Sequence, residues 1–161
     1  MIKKFGIMKN LGFDQLSYSI VNGLNGYYEN PKVYAKMGDF VDFVVFSEIA
    51  MPTYATSKSF GIYHFSEIFE YNGPIMATDV SGADYLTGIP TVHKKYFYLW
   101  DLDWTRQNPK DWESLARVYQ NPQLNLVCRS DDHARAVESA WNVKVNRIIS
   151  EFNMEEIIKL C

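Results

Sequence analysis

Residues 41–46 read Val-Asp-Phe-Val-Val-Phe and are followed by the polar pair Ser47-Glu48. β-Branched and aromatic residues are enriched in strands, and the polar pair gives this predicted strand a clear end. Similar short apolar runs recur at 5–8, 75–78, 96–100, 124–128 and 145–149. Longer segments of helical period separate most of these runs. This alternation is typical of strand–helix units around a largely parallel sheet.

The helical segments favour the same fold class. The face of the first helix is formed by Phe13, Leu16, Ile20, Leu24 and Tyr27, which recur at three- and four-residue steps. Further helices are predicted at 81–86, after Pro109, and in the segment whose inward-facing residues are Ala134, Val137 and Trp141. We therefore expect an α/β fold, a Rossmann-like three-layer sandwich with a mostly parallel sheet of about six or seven strands.

Two segments are interpreted from weaker patterns. Val33-Tyr34-Ala35 predicts a second strand after Pro31. Thr56-Ser57 predicts the N-cap of a helix on which one face carries Gly61, Phe65, Ile68 and Phe69. Because no repeat, low-complexity tract or flexible linker interrupts the chain, we expect a single Rossmann-like domain spanning residues 1–161.

The composition is that of an ordinary globular protein and argues against several functional classes. The chain has 161 residues, of which 47% are apolar and 16% aromatic, enough to bury one core. The formal net charge of −3 argues against a nucleic-acid-binding protein. Neither a run of eighteen apolar residues nor a signal-peptide pattern occurs in the sequence. We therefore expect no membrane span and a cytoplasmic protein.

The two cysteines, Cys128 and Cys161, have neither the spacing of a metal site nor that of a redox pair. A disulfide framework is not expected from them, which favours a reducing compartment. No grouping of cysteine, histidine and carboxylate residues predicts a structural metal. We therefore expect neither a metal nor a resident cofactor.

Polar residues follow several of the predicted strands. The residues directly after apolar runs include Glu48, Asp79, Asp101 and Arg129. In an open parallel sheet these positions meet at the carboxyl-terminal edge, where such folds bind ligands. Carboxylates there suit a general base or contacts to sugar hydroxyls, and an arginine suits a phosphate. The alternative is that strand ends are polar only because they meet water.

The turn Lys9-Asn10-Leu11-Gly12 joins the first strand to the first helix. Free backbone amides at a helix start favour an anion, so Asn10 and Gly12 are candidate contacts to a phosphate or a sugar. The turn has a single glycine and therefore lacks the full glycine-rich dinucleotide fingerprint. An ordinary helix start is the alternative interpretation.

The motif Ser130-Asp131-Asp132-His133 predicts a helix N-cap, in which Ser130 or Asp131 accepts hydrogen bonds from the opening amides. His133 is also a candidate acid, base or ligand contact. His64, on a predicted helix, is a weaker candidate, and His93 is expected in a loop beside two lysines.

The motif Trp100-Asp101-Leu102-Asp103-Trp104 brackets two acids with two indole rings directly after a predicted strand. Indoles beside carboxylates suit sugar faces or nucleobases, which makes Asp103 a candidate ligand contact. The alternative is that the rings pack in a core layer while the aspartates cap a turn.

In the order of these segments the chain resembles the amino-terminal half of a two-domain glycosyltransferase, and also the small glycosyltransferase-like proteins of tailed bacteriophages. The stretches that carry the resemblance are 42–47 (DFVVFS), 73–79 (GPIMATD), 96–104 (YFYLWDLDW) and 126–133 (LVCRSDDH). Residues 145–158 are similar to the passage toward the second domain. The resemblance implies a Rossmann-like domain that mainly shapes the acceptor side, whereas the second domain of the family holds the sugar nucleotide.

The resemblance also implies a function. The protein is expected to bind a sugar nucleotide or a glycosyl acceptor, with Asp79 or Asp101 as the base that takes the acceptor proton and Arg129 beside the departing phosphate. The ligand contacts are expected among Asn10, Gly12, Glu48, Asp103, Arg129, Ser130 and His133. The acidic donor-ribose motif of the second domain has no counterpart in the sequence. Three explanations follow: a minimal enzyme, one half of a split enzyme, or a domain reused for binding.

In the latter cases a partner subunit or a second copy of the chain would cover the missing half. The main alternative to an enzyme is a non-catalytic, phage-encoded module that captures a small nucleotide or a host or partner protein. It predicts a tight complex without turnover. A nucleic-acid-binding accessory is disfavoured by the charge. A phage-encoded chain would work in the host cytoplasm.

Overall fold

The computed structural model describes residues 2–35, 38, 40–49, 59–92, 94–106 and 108–161. Within these residues the centre is a seven-stranded sheet of parallel neighbours. The strands are β1 (Lys3–Met8), β2 (Val41–Ser47), β3 (Gly61–His64), β4 (Ile75–Ala77), β5 (Lys95–Leu99), β6 (Leu124–Cys128) and β7 (Arg147–Ile148). The predicted α/β, Rossmann-like fold with a parallel sheet is confirmed.

Across the sheet the strands run in the order β3-β2-β1-β4-β5-β6-β7. The chain builds outward from β1 to β3, returns across the sheet, and builds outward again from β4 to β7. The direction of winding therefore reverses between β1 and β4. In open parallel sheets the loops on the two sides of such a reversal diverge and leave a crevice at the carboxyl-terminal ends of the strands.

Helices cover both faces of the sheet. They are α1 (Gln15–Glu29), α2 (Pro31–Tyr34), α3 (Val80–Thr87), α4 (Trp112–Tyr119), α5 (Asp131–Trp141) and α6 (Met154–Ile158), with 3₁₀ turns at Phe65–Glu70, Asp103–Arg106, Pro109–Asp111 and Ser150–Phe152. One hydrophobic core contains residues of α1 and α6, and the other contains residues of α3, α4 and α5. No helix in the described ranges is long and apolar enough to cross a membrane.

The alternation of side chains along the strands explains the two cores. In β1, Phe5 and Ile7 point toward α1, whereas Met8 points into the opposite core. Gly6 lies on the same side as Met8, and a Cβ at this position would come within 2.8 Å of the Phe46 ring. The glycine therefore lets that ring pack directly on the strand. Strands buried on both faces account for the near-continuous apolar runs in the sequence.

Two predictions of secondary structure are wrong. Residues 33 and 34 end helix α2 and residue 35 is its C-cap, so this segment is not a strand, because Pro31 opens the helix at a position where its fixed φ is favourable. The predicted helix starting before Gly61 is a strand in its first half, because β3 pairs with β2 and helical turns begin only at Phe65. The predicted cap Thr56-Ser57 lies outside the described residues.

The other predicted elements are confirmed with shifted ends. The helix predicted at 81–86 spans 80–87, and the last strand is shortened to two residues. Phe13 precedes α1 instead of lying on it, and its side chain is 71% exposed. The helix begins one residue after Asp14, whose carboxylate accepts a hydrogen bond from the Ser17 amide at 2.9 Å.

A buried tyrosine fixes the segment after β7. The Tyr98 hydroxyl donates to the Ile149 carbonyl at 2.7 Å and accepts from the Phe152 amide at 3.1 Å. Glu151 and Phe152 have positive φ angles of 49° and 53°, a conformation that costs free energy in residues other than glycine. Tyr98 therefore holds a strained turn, after which α6 packs back onto α1.

Candidate functional site

The predicted site residues all lie near the carboxyl-terminal edge of the sheet. This edge carries Glu48 after β2, Asn10 and Gly12 after β1, Asp79 after β4, Asp101 and Asp103 after β5, and Arg129, Ser130 and His133 after β6. They gather there because the strands are parallel, as the strand-end pattern predicted. Within this edge they divide into two groups, one beside β1 and one beside β5 and β6.

The first group lines a pocket at the reversal point between β1 and β4. This crevice pocket has a volume of about 360 Å³ and is lined by Asn10, Glu48, Phe65, Asp79, Ser81, Gly82 and Tyr85. It contains three of the predicted site residues, which come from three different strand ends. Clefts of this size between strand ends are usual places for a small ligand.

The Asn10 side chain ties the ends of β1 and β2 together. Its Oδ1 accepts from the Glu48 amide at 2.8 Å and from the Ser47 hydroxyl at 3.1 Å, and its Nδ2 donates to Glu48 Oε2 at 3.2 Å. These three contacts orient the Glu48 carboxylate at the wall of the pocket. Asn10 is therefore first of all a positioning residue for Glu48.

Asp79 lines the same pocket and caps helix α3. Its Oδ1 accepts from the Gly82 amide at 2.7 Å, while no described residue donates to its Oδ2. The preceding residue, Thr78, donates from its buried hydroxyl to the Met8 carbonyl at 2.7 Å and so joins β4 to β1. The carboxylate of Asp79 is exposed to solvent but is held on a rigid base.

Phe65 and Tyr85 form an aromatic wall on one side of the crevice pocket, and Phe69, which does not itself line the pocket, extends this wall by packing on Tyr85. The rings of Phe65 and Tyr85 stack with centroids 5.9 Å apart and an interplanar angle of 29°, and Phe69 meets Tyr85 edge-on at 6.3 Å. Phe69 is 52% exposed and Tyr85 is 40% exposed. Large exposed rings beside a pocket are typical of ligand contacts. The helical pattern expected around Phe65 hid this role, and nothing in the sequence singled out Tyr85.

The turn after β1 is less open to an anion than its sequence suggests. The Gly12 amide donates to the Ser17 hydroxyl at 3.0 Å, and the Lys9 amide donates to the Phe46 carbonyl at 3.0 Å. The expectation of free amides is therefore wrong at these two positions. At the start of α1 the carboxylate of Asp14 already accepts from Ser17 and pairs with Lys9 at 3.2 Å. The contact of Gly12 with a ligand stays a prediction.

The second group forms what we call the β5–β6 cluster, which consists of Trp100, Asp101, Asp103, Arg106 and Arg129. The guanidinium of Arg129 lies 4.9 Å from the centre of the Trp100 ring, a cation–π distance. Arg106 pairs with Asp101 at 3.9 Å. Trp100 itself is buried in the core with α1, which favours the structural interpretation of this ring.

Asp103 connects the two groups electrostatically. Partial burial, followed by the negative charges of Asp101 and Asp79, raises the pKa of its carboxyl, and the positive charges of Arg106 and Lys9 only partly oppose this. A carboxyl with a raised pKa accepts a proton more readily than an ordinary exposed aspartate does. Asp103 therefore has the electrostatics of a proton acceptor, whereas its sequence position suggested only a ligand contact.

Among the remaining predicted residues, Ser130 and His64 act as caps, whereas a buried ring atom of His133 lacks a partner in the described ranges. Ser130 caps α5 by accepting from the His133 amide at 3.2 Å, as the motif predicted. The Nδ1 atom of His133 is buried and has no hydrogen-bond partner in the described part of the chain. His64 caps the 3₁₀ turn that follows it by accepting from the Ser66 amide. His93 lies outside the described residues.

The two cysteines belong to no metal-binding group of side chains in the described part of the chain. Among the residues that the structure describes, no group of three or more histidine, cysteine, aspartate or glutamate side chains could hold a metal ion. Burial raises the pKa of both the Cys128 and the Cys161 thiols to about 12. Both thiols are therefore protonated and unreactive at neutral pH.

Comparison with models of known protein families gives no match, and no curated protein matches the sequence significantly.

Proposed function

We propose that the protein is glycosyltransferase-like and that the crevice pocket holds a glycosyl unit, either an acceptor or the sugar of a sugar nucleotide. One observation carries the proposal: two carboxylates and an exposed aromatic wall line the same pocket. Hydroxyls of a sugar suit carboxylate and amide groups, and its C–H faces suit aromatic rings. The winding reversal between β1 and β4 is also where open parallel sheets hold ligands.

In a transfer reaction Asp79 is the first candidate base. Its free oxygen takes the proton of the acceptor hydroxyl while that hydroxyl oxygen bonds to the sugar carbon, and the bond from this carbon to the leaving phosphate breaks. Asp101 is the second candidate base, and Asp103 joins them because of its raised pKa. Arg129 supplies positive charge for the leaving phosphate at the neighbouring cluster. The protein acts on its own or as one half of a split enzyme.

The first test is a thermal-shift screen of the protein against sugars, nucleotides and sugar nucleotides. A ligand that binds the native state raises Tm by mass action. Glu48→Gln and Asp79→Asn are expected to weaken the binding of the best ligand at least about tenfold, which corresponds to ~1.4 kcal/mol. Asparagine at position 79 remains an N-cap residue, so the fold is kept. Glu113→Gln, on the exposed side of α4, is the matched control.

Turnover is tested separately with the sugar nucleotide that gives a shift. Asp79→Asn and Asp101→Asn are combined, and loss of transfer with retained folding supports the assignment of the base. If the combined variant transfers and binds as the wild type does, the proposal is overturned.

A second candidate function is a non-catalytic module that captures a partner protein. Phe13, 71% exposed, and Ile49, 48% exposed, follow β1 and β2 at the same edge of the sheet, and exposed apolar residues of this size favour protein contact. Sedimentation of the wild type and of Phe13→Ser/Ile49→Ser distinguishes the cases. A dimer or complex that the double variant dissociates supports this function, and a monomer in both disfavours a second copy as the partner.

The cellular setting belongs to the same proposal. We place the protein in the cytoplasm, the host cytoplasm if the chain is phage-encoded, since its expected sugar-nucleotide ligands and reduced thiols belong there. Fractionation of cells that express the protein tests this location. Recovery in the membrane or secreted fraction would contradict it.

A further inference from the structure

The crevice pocket carries negative charge that no described residue neutralises. Glu48 and Asp79 both line it, and neither forms an ion pair with any residue in the described ranges. The nearest lysine along the chain, Lys9, is paired with Asp14 at 3.2 Å. The lining residues that the structure describes include no basic side chain. A ligand therefore meets two carboxylates that no described residue compensates.

The aromatic wall acts in the same direction as the carboxylates. Phe65 and Tyr85 line the pocket, and an aromatic ring attracts a cation placed over its face. The rings are also partly exposed, so that a ligand reaches them without opening the fold. A concave site that combines aromatic faces with unpaired carboxylates suits a positively charged group.

The surroundings of the pocket reinforce this preference. Asp103 lies close enough to Asp79 for the two charges to repel. Among the described residues of this edge, Lys9 is paired with Asp14, and the arginines lie in the β5–β6 cluster, where Arg129 covers Trp100 and Arg106 pairs with Asp101. A phosphate is therefore repelled by the carboxylates of the crevice pocket, and Arg129 in the neighbouring cluster is the group that could contact it.

We infer that the crevice pocket selects its sugar by charge: it favours a glycosyl unit that bears an amine, accepts a neutral one, and disfavours one that bears a carboxylate or phosphate. This inference rests on the proposed function, since it assigns a substrate class to the same pocket. A sugar nucleotide remains compatible with it when the sugar occupies the pocket and the phosphates lie toward Arg129.

The test uses matched sugars that differ only in charge. The purified protein is titrated at pH 6.5 and low salt, with ligand-observed NMR as the readout, against glucose, glucosamine and glucuronic acid, and against the same three forms of galactose and mannose. Cyclohexylamine is included as an amine without hydroxyls. In the best series we expect the amine form to bind at least tenfold more tightly than the acid form, with the neutral sugar between them. The difference shrinks in 0.5 M salt, because salt screens the exposed carboxylates.

Each outcome is decisive. Equal binding of the three forms overturns charge selection and leaves the proposed function standing. Binding of none of the sugars, or of cyclohexylamine as tightly as of the amino sugars, overturns the proposed function and the inference with it.

Variants show whether the named carboxylates cause the selection. Glu48→Gln and Asp79→Asn should each reduce the amine-to-acid ratio at least threefold while neutral sugars still bind. Glu113→Gln should leave the ratio unchanged. A ratio that survives both pocket substitutions, in variants whose thermal unfolding shows that they are folded, overturns the assignment.

Discussion

The two halves of the carboxyl-terminal edge use the same kinds of residues in opposite ways. Beside β5 and β6, both arginines have partners: Arg129 covers Trp100, and Arg106 pairs with Asp101. In the crevice pocket, Glu48 and Asp79 have no basic partner among the described residues, and the rings beside them are open to solvent. Groups that are already satisfied stabilise a fold, whereas groups left unsatisfied on a rigid base are available for a ligand.

The aromatic residues show the same contrast. Below the β5–β6 cluster lies an aromatic stack formed by Trp104, Trp112, Tyr119 and Trp141. The rings of Tyr119 and Trp141 are buried and parallel, with centroids 4.8 Å apart. The wall of the crevice pocket also contains stacked rings, but two of its three rings are at least 40% exposed. Aromatic content alone therefore does not locate a binding site, and exposure beside a cavity is the better indicator.

The largest expected effect is on the aromatic stack. Trp141→Ala removes a ring that is only 2% exposed, and it should lower the free energy of unfolding by about 3–5 kcal/mol. Tyr85→Ala, the matched change in the pocket wall, should cost about 1 kcal/mol or less. Urea denaturation of both variants measures the difference. Equal losses would break the contrast between a structural and a functional aromatic group.

The next effect is on ligand binding. Phe69→Ala/Tyr85→Ala should weaken the best sugar ligand about tenfold, ~1.4 kcal/mol, because the sugar loses its aromatic face. Trp112→Ala removes an exposed ring from the aromatic stack and serves as the control. Calorimetric or NMR titration measures the affinities. The pocket assignment fails if the control weakens binding as much as the double variant does.

A smaller effect separates binding from chemistry. Arg129→Gln removes the cation above Trp100 and should lower stability by about 0.5–1 kcal/mol. The affinity for a neutral sugar should not change, whereas turnover with a sugar nucleotide should fall. Steady-state kinetics and a sugar titration are run on the same preparation. A loss of neutral-sugar affinity would place Arg129 in the pocket and remove the division between the two groups.

The smallest effect concerns Asp103. Its folded-state pKa is raised, so the folded protein binds a proton more readily than the unfolded chain, and ionisation of this group lowers stability as pH rises through the raised pKa. Asp103→Asn should therefore raise Tm at neutral pH, by about 1 °C after allowance for solvent screening, and this gain should vanish in acid. Scanning calorimetry at several pH values measures it. A gain that persists in acid would show that burial and repulsion of the carboxylate are not its cause.

Local sequence patterns were sufficient to predict most of the fold. The strand at 124–128 has the predicted bounds, and the strand at 41–47 differs from its prediction by one residue. Both strands have apolar residues on their two faces, and this pattern alone indicates a strand that is buried in a parallel sheet. The errors at 33–35 and at Gly61 have a different origin, since a proline context and a pairing with β2 outweighed the local pattern.

The candidate site was predictable only in part. The sequence placed Glu48 and Asp79 at the carboxyl-terminal edge of the sheet, because both follow predicted strands and parallel strands all end at that edge. Which strand ends are neighbours depends on the order of the strands across the sheet, and local sequence patterns do not reveal that order. The sequence therefore could not show that these two residues share a pocket while Asp101 lies elsewhere. Tyr85 reaches the pocket from the second turn of α3, where its neighbours in sequence carry no sign of a ligand.

The hydroxyl of Tyr98 has a consequence for how the chain folds during synthesis. It forms hydrogen bonds with Ile149 and Phe152, which lie 51 and 54 positions later in the chain. The Leu160 carbonyl likewise accepts from Tyr96 and Lys94, which lie more than 60 positions earlier. These late contacts tie α6 to the middle of the sheet and to α1. Until residue 160 has left the ribosome, the core beneath α1 lacks its cover, and a chaperone that shields apolar surface would have its longest opportunity there.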